Sequence, residues 1–201
     1  MSYDKIYKTS KDAWGNEPNK LLQMIWQNVK PNSYFLDLGC GQGRDSIFMA
    51  EQGFKVVAVD ESKEAIEQLK ETAVKENLNI ETICQSIADF KITQDKFLVI
   101  NAYNIFQFLD KSKTMEIIRN IKKNLKPDGY AIISGFTIND PSYQKQGNKA
   151  KGYFKPNELK ELFNDFEIIF YFEKEIEDKG HPGAQLPHKH GVVRLIVRKF
   201  E

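Results

Sequence analysis

The sequence has few cysteines, no long apolar run and no excess of charge of either sign. Its two cysteines, Cys40 and Cys84, lack the spacing of a metal site, and their scarcity predicts a reduced, cytoplasmic protein. No segment approaches the ~18 apolar residues that a membrane helix requires. Residues 1–5 are polar and contain no apolar signal core, so we expect a soluble protein that makes no membrane contact.

The charged residues are balanced, with 29 Lys and Arg against 28 Asp and Glu. This balance removes the overall attraction to nucleic acid and to acidic membranes. We therefore expect a small-molecule substrate or a protein partner, and a patch of Lys145, Lys149 and Lys151 leaves a nucleic-acid acceptor as the weaker alternative. No repeat or low-complexity linker divides the 201 residues, which predicts one domain, either a monomer or a homodimer.

Short apolar runs alternate with helical patterns along most of the chain. The first run, 34–38, leads into a turn with three alternating glycines, and a helical pattern follows. Further strand-like runs occupy 55–60, 80–84, 97–101, 130–134, 166–173 and 192–197. Strand–helix–strand order requires a parallel sheet with helices on both faces. We therefore predict an α/β fold with a doubly wound, Rossmann-like, seven-stranded sheet whose last strand is antiparallel.

The glycine turn is suited to a ligand because glycine lets the backbone approach closely and the following helix begins with unpaired N–H groups. Two classes of cofactor compete for it. A dinucleotide fingerprint requires Gly or Ala at position 44, where this chain has Arg44. Asp60 ends the second strand 21 residues after Gly39, and its carboxylate suits two ribose hydroxyls in either class.

The run from Leu36 to Gly43, Leu-Asp-Leu-Gly-Cys-Gly-Gln-Gly, resembles the first motif of the class I S-adenosylmethionine-dependent methyltransferases. The segments 86–90 and 125–130 are similar to that family's adenine-binding segment and to its turn into the fifth strand. The resemblance implies S-adenosyl-L-methionine as methyl donor and S-adenosyl-L-homocysteine as product. It implies cofactor contacts from Asp37, Gly39, Gly41, Gly43, Arg44, Asp60, Glu61, Ile87, Asp89 and Phe90.

Asn101 ends the fourth strand and is expected to face the same site. Its amide either meets the methionine part of the cofactor or the substrate, or it caps a helix. Shorter segments, 14–19 and 187–194, look like those of the tellurite-resistance-type, small-molecule branch of the family. This narrower resemblance implies a thiol or a chalcogen oxyanion as acceptor.

The resemblance divides the domain by role. Residues 1–30 are expected to form a helical lid, 33–135 the cofactor-binding core, and 137–201 the substrate side. Two polar loops, 137–153 and 178–191, would set specificity, with a helix at 156–163 between them.

The candidate catalytic residues are His188, His190 and Arg194. A histidine titrates near neutral pH and can take a proton from a thiol or hydroxyl, although a polar hairpin loop would also account for this segment. The H-x-H pair, with His181, invites a metal site, but methyl transfer from a sulfonium needs no metal and no carboxylate set is evident nearby, so we predict none. Arg194 lies in a strand covered on both faces and therefore requires an anionic partner, either a substrate oxyanion or a structural glutamate.

The sequence therefore predicts methyl transfer from S-adenosylmethionine to a small acceptor, which requires mainly that acceptor, methyl group and sulfur be aligned. Two alternatives remain. One is a non-catalytic module that binds S-adenosylmethionine or S-adenosylhomocysteine, and the other is an NAD-type oxidoreductase, which Arg44 disfavours.

Overall fold

The computed structural model describes residues 3–146, 151–181 and 184–201. One seven-stranded sheet runs through it in the order β3-β2-β1-β4-β5-β7-β6. The strands are β1 Tyr34–Leu38, β2 Lys55–Asp60, β3 Ile80–Cys84, β4 Phe97–Tyr103, β5 Tyr130–Phe136, β6 Glu167–Asp178 and β7 His188–Arg198. The pairs among β1 to β5 are parallel, and β7 is antiparallel to both of its neighbours, β5 and β6. The predicted sheet, with its antiparallel last strand, is confirmed.

Seven helices surround the sheet in the described part of the chain. They are α1 Tyr3–Thr9, α2 Lys20–Ile25, α3 Arg44–Glu51, α4 Lys63–Lys75, α5 Lys111–Asn124, α6 Pro141–Gln146 and α7 Glu158–Leu162. Side-chain oxygens cap two of them: Asn19 accepts from the N–H of Leu22 at the start of α2, and Ser62 accepts from that of Ala65 at the start of α4. None of the helices in these ranges is long and apolar enough to cross a membrane.

The strands bury both faces because their side chains alternate between two apolar cores. In β1, Leu36 and Leu38 enter the core that contains α5 and α7, whereas Phe35 enters the core that contains α2, α3 and α4. The same alternation explains why β2 reads as a continuous apolar run, with Val57 and Val59 on one face and Val56 and Ala58 on the other. Helices on both faces follow from this pattern.

The strand order reverses between β1 and β4, which are neighbours in the sheet although β1 precedes β2 and β3 in the chain. In an open α/β sheet, ligands bind beyond the carboxyl ends of the strands at such a point. The glycine turn follows β1 directly, so it lies at this edge of the sheet.

Two loop predictions are wrong in part. The predicted loop 178–191 is shorter, because β7 begins at His188 and pairs with β6 as far as Asp178. β6 is an edge strand, and its C-terminal half is mostly polar. This half pairs with β7 through its backbone, so the sequence shows no apolar pattern there. The predicted loop 137–153 contains α6 and is tied down by a parallel bridge between Thr137 and Phe154, while its residues 147–150, including Lys149, lie outside the described ranges.

Candidate functional site

A cleft of about 2190 Å³ opens at the carboxyl edge of the sheet. It is larger than the 300–1,000 Å³ typical of small-molecule sites, so it has room for a cofactor and an acceptor together. The predicted site residues that line it are Asp37, Gly39, Gly41, Arg44, Asp60, Glu61, Ile87, Asn101, His188, His190 and Arg194. The fold thus brings residues from both halves of the chain to one cavity, and their individual roles remain predictions.

The glycine turn has the backbone that only glycine adopts easily. Gly39, Gly41 and Gly43 have φ angles of 72°, 54° and 86°. A Cβ on Gly39 would lie 2.3 Å from Ile105 Cγ2, and one on Gly43 would lie 2.2 Å from Leu69 Cδ1. Gly43 does not line the cleft; its role is to let the turn pack against α4 at the start of α3. The turn is therefore shaped by packing as well as by any ligand.

Asp60 is bonded to the glycine turn from the end of β2. The Gly41 N–H donates to Asp60 Oδ2 at 2.8 Å, and the Ser62 N–H donates to Oδ1 at 2.8 Å. Burial raises the pKa of Asp60, although these two bonds oppose the shift. A carboxylate has about four acceptor positions, so each oxygen keeps capacity for a ribose hydroxyl.

A buried polar network lies beneath the turn. Asn101 Nδ2 donates to Asp37 Oδ1 at 2.9 Å and to Asp45 Oδ2 at 3.2 Å, while Ser46 Oγ donates to Asp37 Oδ2 at 2.6 Å. Asn19 donates to Asp45 through its N–H at 2.8 Å and its Nδ2 at 2.6 Å. Asn101 lies within β4 opposite Asp37 in the register, so it caps no helix.

This network buries the carboxyl groups of Asp37 and Asp45 close together. Burial, and then the nearby carboxylate of Asp45, raises the pKa of Asp37. Arg44 offsets part of the charge, since its Nε donates to Asp45 Oδ1 at 3.2 Å. Its Nη1 also donates to the Trp14 carbonyl at 3.3 Å. Arg44 therefore joins the turn to the amino-terminal segment. The residue that does not fit a dinucleotide fingerprint thus has a structural role in this fold.

The amino-terminal segment covers the turn through hydrogen bonds and aromatic packing. Gln42 Oε1 accepts from the Ala13 N–H at 3.0 Å, and its Nε2 donates to the Ser10 carbonyl at 2.6 Å. A Cβ on Gly41 would lie 2.9 Å from the Tyr7 hydroxyl, and burial raises the pKa of Tyr7. Tyr7 and Trp14 both line the cleft and pack in an apolar cluster with α4, and a lid role for residues 1–30 stays a prediction.

The predicted adenine-binding segment enters the cleft only in part. Ile87 lines it, but Phe90 packs against the core instead. Asp89 is exposed and is not among the described residues that line the cavity. Adenine contacts from Asp89 and Phe90 remain predictions from the resemblance.

The opposite wall of the cleft comes from β7. Arg194 lies between Ser134 of β5 and Phe172 of β6, with its guanidinium carbon 5.8 Å from the Phe172 ring centroid. Its buried Nε has no hydrogen-bond partner among the described residues. The described residues provide no carboxylate partner for this atom, and a contact between Arg194 and a substrate oxyanion stays a prediction.

His190 is held from both sides. Its Nδ1 lies 2.7 Å from Oδ2 of the fully buried Asp140, and its ring stacks on Phe136 with centroids 4.6 Å apart and planes at 9°. His188 Nε2 lies 2.8 Å from His190 Nε2. His181 approaches both rings, and burial lowers its pKa. The three histidines therefore form one cluster.

Sequence reasoning missed several acidic and amide groups of the cleft. Asp178 faces His188 in the hairpin register, so the premise that no carboxylate lies near the histidines is wrong. Predicted strands that extended to Asp178 and His188 would have placed these two residues opposite each other. Asn19 and Asp45 lie in segments that resemble the family, but the sequence predicted no role for either residue. No sequence signal indicates Asp140, because its contact with His190 spans 50 residues.

A mixed sheet in this order, with a glycine turn after β1 and an acid at the end of β2, is the class I methyltransferase fold. Residues 18–182 match the family described as tellurite resistance protein TehB, and the chain belongs to that family. The predicted family is confirmed.

Three similar proteins show how far the likeness extends. "Probable S-adenosyl-L-methionine-dependent methyltransferase TehB" of Haemophilus influenzae is 34% identical over 139 residues, which cover 69% of this chain and 47% of the relative. The crystal structure of TehB from H. influenzae has a TM-score of 0.77 and 29% identity, covering 90% of this chain and 62% of that one. A carboxy-S-adenosyl-L-methionine synthase of Shewanella pealeana is 25% identical, covering 88% and 70%. The chain spans about half the length of the TehB relative.

Proposed function

We propose that this protein binds S-adenosyl-L-methionine at the glycine turn and transfers its methyl group to a small, soft, anionic acceptor, either a thiol or a chalcogen oxyanion. One observation carries the proposal: a single cleft contains the glycine turn and Asp60 at one end, and His190 and Arg194, whose buried Nε has no partner among the described residues, at the other. Donor and acceptor can therefore share one cavity. The names of the relatives, which refer to S-adenosylmethionine, support the choice of donor.

The cofactor end has groups that suit each part of the donor. Asp60 keeps acceptor capacity for the ribose hydroxyls, with the exposed Glu61 beside it. The carboxyl groups of Asp37 and Asp45, bridged by Asn101, suit the ammonium group of the methionine part. Binding of that cation would favour the ionised form of Asp37, whose charge is costly in the free protein.

The acceptor end has a cation and a base. Arg194 is suited to an oxyanion because a guanidinium presents several N–H donors in a plane. The carboxylate of Asp140 accepts from His190 Nδ1, which leaves the Nε2 lone pair to take a proton from a thiol. The thiolate sulfur then forms a bond to the methyl carbon as the carbon–sulfonium bond breaks, and the electron pair stays on the sulfur of S-adenosylhomocysteine.

The partners and the location are proposed in the same terms. The substrate is a small molecule, because the net charge of +1 gives no general attraction to nucleic acid. A cytoplasmic location fits the two free cysteines, Cys40 and Cys84. The number of subunits, one or two, remains a prediction without structural support.

An acceptor screen tests the proposal. The purified protein is incubated with S-adenosylmethionine and with thiols, selenite, tellurite, amines or catechols, and the release of S-adenosylhomocysteine is measured. We expect release with thiols or chalcogen oxyanions and little with amines. Absence of release with every acceptor, from a protein that binds the donor, would instead indicate the non-catalytic binding module.

A further inference from the structure

The histidine cluster of the acceptor wall has a second use that methyl transfer does not require. Asp178, His181, His188 and His190 each offer one ligand atom, and these four atoms lie within 4.8 Å of one another. All four residues line the cleft and are half-buried. The β6–β7 hairpin builds the cluster: His188 and His190 are two residues apart and therefore share a face of β7, and Asp178 pairs with His188 across the two strands.

The hydrogen bonds of the two β7 histidines fix where their protons lie. His188 Nδ1 lies 2.8 Å from the Leu186 carbonyl, which can only accept a hydrogen bond. His190 Nδ1 lies 2.7 Å from the carboxylate of Asp140, which also accepts when ionised. Both Nδ1 atoms are therefore assigned the proton, and in the neutral rings both Nε2 atoms carry a lone pair.

These two lone pairs face each other. The Nε2 atoms of His188 and His190 are 2.8 Å apart, so with both protons on Nδ1 a shared cation would relieve the repulsion between them. A single proton can do this for two nitrogens. The positions of Asp178 and His181 around the same point supply two further donor atoms that a shared proton does not use.

We propose that Asp178, His181, His188 and His190 bind one divalent transition-metal ion through three imidazole nitrogens and one carboxylate oxygen. Neighbouring ligands of a tetrahedral ion bound at about 2.0–2.2 Å lie about 3.3–3.6 Å apart, so the cluster reaches this geometry by small side-chain movements. Imidazole donors select zinc, copper, nickel or iron, whereas calcium and magnesium require mainly oxygen ligands.

The groups behind the cluster are those that support a metal ligand. Metal-bound histidines usually donate their other N–H to a carboxylate or a carbonyl, which are the partners of His190 and His188 here. Asp140 is itself fixed, since its Oδ1 accepts from the Ser142 N–H at 2.8 Å and its Oδ2 from the Gly191 N–H at 3.2 Å. Phe136 stacks on the His190 ring and limits its rotation.

The ion would lie on the wall of the cleft where the acceptor is proposed to bind. While it is bound, Nε2 of His190 cannot also act as a base, and an anionic acceptor would instead meet the ion directly. Metal binding itself does not depend on methyl transfer, so the two proposals can fail separately.

Direct metal titration tests the proposal. Untagged protein, dialysed against a chelator and then freed of it, is titrated with Zn²⁺ by calorimetry and with Co²⁺ by visible absorption. We expect one ion per chain and a Co²⁺ spectrum of nitrogen and oxygen ligands without a thiolate charge-transfer band. Mg²⁺ and Ca²⁺ should not compete.

Variants locate the ion. His190→Gln and Asp178→Asn should each raise the Kd for Zn²⁺ at least about tenfold, and Asp140→Asn should raise it about 10–100-fold because it removes the partner of a ligand. Cys84→Ser, which deletes the exposed thiol, and Glu175→Gln, which breaks a surface ion pair next to the cluster, should leave the Kd unchanged. Circular dichroism confirms that each variant is folded. Absence of Zn²⁺ and Co²⁺ binding, or equal affinity in the folded His190→Gln and Asp178→Asn variants, would overturn the proposal.

Discussion

The two ends of the cleft are built in different ways. The cofactor end is formed by Gly39 and Gly41, which follow β1, and by Asp60, the last residue of β2. Its shape depends on the backbone of the glycine turn and on a buried hydrogen-bond network. The acceptor end is formed by side chains on β7 and by Asp140, which lies 50 residues before its partner His190. The first end therefore depends mainly on segments next to β1 and β2, although Asn101 joins it from β4, and the second exists only when β5, β6 and β7 are paired.

We expect the cofactor end to contribute mainly to the stability of the fold, and the acceptor end to the choice of substrate. The groups at the cofactor end satisfy one another: Asp45 alone accepts from Asn19, Arg44 and Asn101. At the acceptor end, Arg194 Nε is unpartnered among the described residues and two lone pairs of the histidines face each other. We therefore expect substitutions at the two ends to change different measurements.

The largest expected effect is on stability, at Asp45. Asp45→Ala removes the acceptor of four hydrogen bonds and leaves Asn19 and Asn101 with buried, unpaired N–H groups, so the free energy of unfolding should fall by about 3 kcal/mol or more. Urea unfolding measures it. The control is Asp165→Ala, which breaks a largely exposed ion pair with Lys122 and should cost about 1 kcal/mol or less. Equal losses would contradict the described network.

The next effect is on donor binding, at Asp60. Asp60→Ala removes the proposed acceptor of the ribose hydroxyls and a bond that shapes the turn, so the Kd for S-adenosylhomocysteine should rise about 10–100-fold. Glu81→Ala, at an exposed position of the neighbouring strand β3, is the control. Calorimetry on both variants checks this. An unchanged Kd for Asp60→Ala would mean that the nucleoside binds elsewhere.

A comparable or smaller effect, on turnover alone, is expected at Arg194. Arg194→Gln should lower kcat/KM for an anionic acceptor about tenfold or more because it removes a charged donor, while the Kd for the cofactor stays the same. Arg198→Gln alters an exposed, ion-paired arginine on the same strand and should change neither value. Steady-state kinetics with a thiol or a chalcogen oxyanion make the test. Loss of cofactor affinity in Arg194→Gln would erase the distinction between the two ends.

The smallest effect is a pH dependence that arises at Asp37. Because the pKa of Asp37 is raised above 3.8 in the folded protein, by burial and then by Asp45, the folded state holds this proton more tightly than the unfolded state. Stability from this group is therefore complete below pH 3.8 and is lost as pH rises towards the raised value. The free energy of unfolding of the wild type, relative to Asp37→Asn, should fall across that window. A difference that stays constant with pH would contradict the raised pKa.

The sequence predicted the sheet because its strands depend on short-range patterns, whereas the cofactor contacts of the individual residues stay predictions. Runs such as 55–60 are buried on both faces and read as apolar, and the three glycines after β1 accept the positive φ angles that the turn requires. The polar outer half of β6 carries no such pattern, so the extent of the last hairpin was missed. The pairing of Asp178 with His188, and of Asp140 with His190, depends on that hairpin and on the path of residues 137–140, which composition does not encode.

Calorimetric titration with S-adenosylmethionine, S-adenosylhomocysteine and NAD tests the central claim most directly. We expect each of the two S-adenosyl compounds to bind with one molecule per chain, and we expect no binding of NAD. Arg44 occupies the position of the third dinucleotide glycine, and its side chain is hydrogen-bonded to Asp45 and to the Trp14 carbonyl. Binding of NAD alone would contradict the account, and would make the cleft a dinucleotide site in a chain of the TehB family.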